Sequence, residues 1–100
     1  MKGIEKEFDT IGGLMNYMSY IDGHELDYTE TDIVLYFKKH RIVITYHNTT
    51  GTKIMCKLIL FDANNNQKHE ELIVAYKNNN RMNLKPTMRK FLKENKIIKT

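Results

Sequence analysis

The densest chemistry in this 100-residue chain is cationic. Lys77, Arg81, Lys85, Arg89, Lys90, Lys93, Lys96 and Lys99 crowd the last quarter and face a single acid, Glu94. Cations three or four residues apart fall along one flank of a helix, where they can follow a phosphate backbone and release its counterions. A second basic group, Lys38-Lys39-His40-Arg41, sits at a turn signal and offers another point of contact. The residues expected to bind nucleic acid are Lys38, Lys39, Arg41, Arg81, Lys85, Arg89 and Lys93. The same spacing also describes a solvated helix face whose lysines complement the helix dipole.

Two further residue types could add to recognition. The runs Asn64-Asn65-Asn66 and Asn78-Asn79-Asn80 could offer paired amide hydrogen bonds to adenine, although asparagine is also a turn former. Tyr17, Tyr20, Tyr28, Tyr36, Tyr46 and Tyr76 could stack on unpaired bases, or fill half-buried positions in a helix or sheet.

Catalytic chemistry is harder to assemble. His24, His40, His47, Cys56 and His69 fall into no metal-ligand spacing, so no metal site is expected. Cys56 lies mid-strand on an apolar face, where a thiol is inert packing. The acids Asp22, Glu25, Asp27, Glu30 and Asp32 lack the spacing and glycine of a calcium loop, and no glycine-rich phosphate cradle is present. No catalytic or cofactor-binding residue is expected, and the chain reads as a non-enzyme. That acidic stretch around Tyr28 could instead dock on a basic protein groove or imitate nucleic-acid charge.

These groups need elements to position them. Phe8, Ile11, Leu14, Met15, Met18 and Ile21 recur at helical spacing and predict a helix over residues 9–21, capped by Asp9 or Thr10, with Gly12 and Gly13 arguing for a later start. Asp22-Gly23 closes it, and residues 24–32 read as a connecting loop. From Ile33 the pattern changes to short β-branched and aromatic runs over residues 33–37, 42–47, 53–61 and 72–77. Residues 38–40, 48–51 and 62–69 separate them as turns and loops. A second helix over residues 85–95 carries Met88, Phe91 and Leu92 as its apolar stripe, with Pro86 in its first turn.

The expected fold is therefore α+β: a four-stranded antiparallel meander flanked by an N-terminal and a C-terminal helix. The alternative makes residues 33–39 a helix, leaving a three-stranded sheet in a winged-helix-like arrangement. In the third run Ile54, Cys56, Leu58 and Leu60 share one face, and Lys53, Met55, Lys57, Ile59 and Phe61 the other. Val34, Tyr36, Val43, Ile73 and Ala75 are read as adding to that second, mixed face, which would meet a helix, a partner or a second copy in a homodimer.

Composition frames the partners. The length fits one domain, and 41% apolar residues are enough for one modest core. Residues 1–32 hold two bases against eight acids, whereas residues 33–100 hold fourteen bases against four acids, so the net charge of +4 is strongly polarised. Such a domain attracts polyanions by long-range steering. With one cysteine, no leader-like apolar segment and no membrane-length apolar run, a cytoplasmic protein without membrane association is expected. Lys, Asn and Ile supply 34 residues, the bias of AT-rich coding in a low-GC bacterium, its plasmids or its phages. The leading expectation is a small basic nucleic-acid-binding accessory protein, with DNA ahead of RNA. The rival is a non-enzymatic inhibitor or adaptor docking on a host protein, such as a nuclease or replication protein, through anchors like Met55, Ile59 and Phe61.

Overall fold

The computed structural model describes residues 4–23, 32–48, 53–76 and 84–99. Along the chain run β1 (Ile4–Phe8), α1 (Ile11–Gly23), β2 (Asp32–Phe37), β3 (His40–Asn48), β4 (Lys53–Phe61), β5 (Gln67–Tyr76) and α2 (Leu84–Glu94). The strands form one sheet in the order β1-β2-β3-β4-β5. The runs from Ile33 onward pair antiparallel as expected, Ile33 with Ile44, Ile42 with Leu60 and Leu58 with Glu71.

The α+β class holds, but the four-stranded antiparallel meander is corrected to a five-stranded mixed sheet. β1 lies outside β2 and runs parallel to it, from Ile4 opposite Ile33 to Phe8 opposite Phe37. Parallel neighbours cannot be joined by a tight turn, and α1 lies in the connection between them. The segment hides as a strand because Glu5, Lys6 and Glu7 interrupt its apolar ends, a charge pattern suited to an edge strand. The winged-helix-like alternative with a three-stranded sheet is overturned as well. Residues 32–37 alternate between buried Ile33, Leu35, Phe37 and more exposed neighbours, the period of a strand.

Both helices bury their stripes against one side of the sheet. Leu14, Met15, Met18 and Ile21 of α1 and Leu84, Met88, Phe91 and Leu92 of α2 join Ile33, Leu35, Phe37, Ile42, Ile44, Cys56, Leu58 and Leu60 in a single core. Phe37 and Phe91 are almost wholly buried, and truncating either to alanine should cost about 3–5 kcal/mol. In register, Ile73 and Ala75 pair with Cys56 and Ile54. The opposite side carries Val34, Val43, Met55, Ile59 and Phe61, half-buried against one another. Among the described residues no element covers it.

Three local devices shape one end of the molecule. Thr10 caps α1: its Oγ1 accepts a bond from the Gly13 amide at 3.1 Å, and its carbonyl accepts one from Leu14. A Cβ at Gly13 would come within 3.3 Å of that Oγ1, so the glycine lets the cap close tightly. The β2–β3 hairpin turns on Lys38 and Lys39 alone, with φ of 48° and 65°. Positive φ at both central residues is the signature of a type I′ turn, which asparagine and glycine usually fill. Finally, α2 ends in a Schellman motif. The Ile97 amide bonds to the Leu92 carbonyl and the Lys96 amide to the Lys93 carbonyl, with Lys96 left-handed at φ 60° and Ile97 buried.

Candidate functional site

These devices enclose a groove of about 780 Å³ between the first turns of α1 and the exposed flank of α2. Lys85, Arg89 and Lys93 lie four residues apart on α2 and enter it together, because Leu84, Met88, Phe91 and Leu92 fix the other side of the helix to the core. Lys38 reaches it from the hairpin turn, and Lys99 from the folded-back tail. The Lys38 ammonium also donates to the Ile97 carbonyl at 3.4 Å, so turn and tail are tied at this rim. Asp9 is the one acid among these lining residues, against five cations. Ile11, Met15 and Ile98 supply apolar wall between the charges.

The ion pairs between described residues lie elsewhere. Lys90 pairs with Glu94 along the solvent side of α2 at 3.8 Å, Lys68 with Asp62 at 3.5 Å, and Lys57 with Glu70 at 4.0 Å. Among the described residues neither Arg89 nor Lys93 is paired with a carboxylate. Their charge is turned to the groove and its solvent.

Of the seven residues expected to bind nucleic acid, Lys38, Lys85, Arg89 and Lys93 are brought together here. Lys39 and Arg41 are not. They line a neighbouring depression with Glu7, Asp9 and Asp62, where the charges are mixed. Arg41 lies over the Phe61 ring at 4.2 Å, on the uncovered side of the sheet, and its guanidinium donates to Asn65 Oδ1. Arg81 lies outside the described residues, as do Tyr28 and Asn78-Asn79-Asn80. Lys99 belongs to the groove and was missed from sequence. Its place depends on the reversal of the tail, and the lysine at position 96 conceals the glycine signal that would mark one.

The remaining candidates have structural work. Asp62 Oδ1 accepts bonds from the Asn66 and Asn64 amides, each at 2.9 Å, and organises the β4–β5 turn. These amides and nearby Lys68 hold its carboxyl below the usual carboxylate range, against a smaller desolvation effect. The backbone of the Asn64–Asn66 run thus forms the turn, and its side chains are exposed. Cys56 is buried in the core, and burial pushes its thiol up to about 12. The His40 ring lies 2.8 Å from the Lys38 carbonyl, and the His69 ring meets Phe91 edge-on. Among the described residues no cluster of three or more histidines, cysteines and acids could hold a metal ion.

Compared with known proteins, the chain matches no family model, no curated protein and no solved structure. Among the described residues no helix is long and apolar enough to cross a membrane.

Proposed function

We propose that the protein binds nucleic acid through this groove, as a small accessory factor without chemistry of its own. The observation that supports the reading is the convergence of Lys38, Lys85, Arg89, Lys93 and Lys99, from three separate parts of the chain, on one concavity. A merely solvated helix face would leave α2's lysines spread over a convex surface. Here they meet cations from the β2–β3 turn and the tail, and like charges so gathered repel unless an anion lies between them.

The test is fluorescence anisotropy of labelled duplex DNA, single-stranded DNA and RNA at several salt concentrations. Three to five phosphate contacts predict a slope of log K on log salt of about −2 to −4. Arg89→Ala with Lys93→Ala should weaken all sequences alike and flatten the slope by about 1.5. A parent protein that binds none of the three at low salt removes the reading.

The uncovered side of the sheet favours a second reading, a protein-docking face. Leu72 is 51% exposed there and Tyr36 39%, beside Val34, Val43 and Ile59. An inhibitor or adaptor acting on a host protein, or a homodimer, would use this surface. Ile59→Asp should then abolish association without altering the salt slope of anion binding.

A further inference from the structure

Beyond the last turn of α2 a second hollow, of about 720 Å³, adjoins the groove. Lys38, Lys93, Ile98 and Lys99 line both and form their common border, whereas Glu94 and Lys96 belong to the second alone. Among the described residues none of Lys93, Lys96 and Lys99 is paired with a carboxylate, while Glu94 is paired with Lys90. Lys96 is placed there against the preference of the backbone. The described residues other than glycine with left-handed φ are Lys38, Lys39, Asn65 and Lys96. Asparagine tolerates that conformation, but lysine meets the Cβ clash that glycine avoids. Two of the three lysines under this strain, Lys38 and Lys96, line the hollow, and strain of this kind gathers where a side chain is used. Complementing the helix dipole does not account for Lys96, because Lys93 already serves the last turn of α2.

We infer that a nucleic acid bound in the groove continues past the end of α2 into this hollow, with Lys96 binding a phosphate beyond those held by Arg89 and Lys93. This rests on the groove being the nucleic-acid site. The C-terminal end of a helix ordinarily turns an anion away, since its last carbonyls carry partial negative charge. Here the Lys96 and Ile97 amides donate to the Lys93 and Leu92 carbonyls, and the Lys38 ammonium donates to that of Ile97. Lys93, Lys96 and Lys99 then put positive charge where the helix end would be negative, so the cationic surface runs from the flank of α2 round its end. Ile98, on the border of the two hollows, leaves the crossing to Lys38, Lys93 and Lys99 as its charged groups.

The experiment measures binding of the parent, Lys96→Gly, Lys96→Ala, Lys96→Arg and Lys57→Ala proteins to labelled duplex DNA, single-stranded DNA and RNA as salt is varied. Lys57 alternates with buried Cys56 and Leu58 on the uncovered side of the sheet, so its variant removes the same charge away from the hollow. Losing one phosphate contact takes about 0.7–0.9 from the salt slope, which at about 0.1 M salt is about a 5- to 8-fold loss of affinity. That loss is expected of Lys96→Gly and Lys96→Ala for whichever nucleic acid the parent binds. Lys96→Arg keeps the charge, and Lys57→Ala acts from a screened distance, so both should stay within about twofold of the parent. Glycine relieves the backbone at position 96, so weaker binding by Lys96→Gly does not come from unfolding, and thermal melts confirm that each variant is folded. A Lys96→Gly protein that binds like the parent with the same slope overturns the inference while leaving the groove reading intact, as does a Lys57→Ala protein that loses as much. No binding of any nucleic acid by the parent overturns both.

Discussion

Lys96 closes α2 in a left-handed conformation at the position where helices usually carry glycine. Left-handed backbone costs a residue with a Cβ about 1–2 kcal/mol. Glycine relieves this but enters with greater freedom in the unfolded chain, which returns about 0.5–1 kcal/mol. Lys96→Gly should therefore stabilise the domain by about 0.5–1 kcal/mol, and a chain of this size converts that into a rise in Tm of roughly 4 °C. The two hydrogen bonds of the motif involve backbone alone, and buried Ile97 stays in place, so the substitution removes neither. Thermal unfolding followed by circular dichroism at low protein concentration reads it directly. Lys96→Ala is the control, since it removes the same charge but keeps the Cβ, and its Tm should stay within about 2 °C of the parent. A Lys96→Gly protein melting at or below the parent refutes the reasoning, as does a Lys96→Ala protein that gains as much. Lys39→Gly, at φ 65° in the hairpin turn, should stabilise by the same mechanism.

Two further perturbations follow from the turn and the core. Asp62 has a depressed carboxyl, so its contribution to stability is fully present above the unfolded value near 4 and is lost as pH falls through the lower folded value. Asp62→Asn should lower Tm at neutral pH and flatten its acid limb below about pH 5, the two curves meeting at the lowest pH; parallel curves would exclude the carboxylate as the cause. Cys56, with its thiol near 12, should hold on the order of 10³-fold less thiolate at pH 8 than a free cysteine. It should resist iodoacetamide in the native protein and react promptly in denaturant, and fast native labelling would show that the core opens there.

The elements were legible in the sequence where a strong period met a buried face. The stripe of α2 was read to within a residue because Met88, Phe91 and Leu92 repeat at helical spacing, and β4 because Cys56, Leu58 and Leu60 alternate cleanly. Edge strands escaped that logic. β1 shows charge at its three central positions, and the first half of β5, from Gln67 to Glu71, is polar beside a register shift at Leu60 and Phe61. The cations of α2 could be chosen from spacing, but not their meeting with Lys38 and Lys99. That juxtaposition depends on which side of the sheet the helices take and on a left-handed lysine that reverses the tail. Arg41 was misplaced for a related reason: it succeeds Lys38 by three residues, yet the hairpin sends the two to opposite sides of the sheet.

The parallel seat of β1 imposes an order on synthesis. β1 leaves the ribosome before the other strands, yet its partner β2 begins at residue 32 and is itself completed by β3. Residues 4–8 must therefore wait until most of the sheet has emerged before they can dock. Of the five strands they are the first to be exposed and among the last to be secured, and their charges at positions 5, 6 and 7 keep that waiting segment from adhering to other chains.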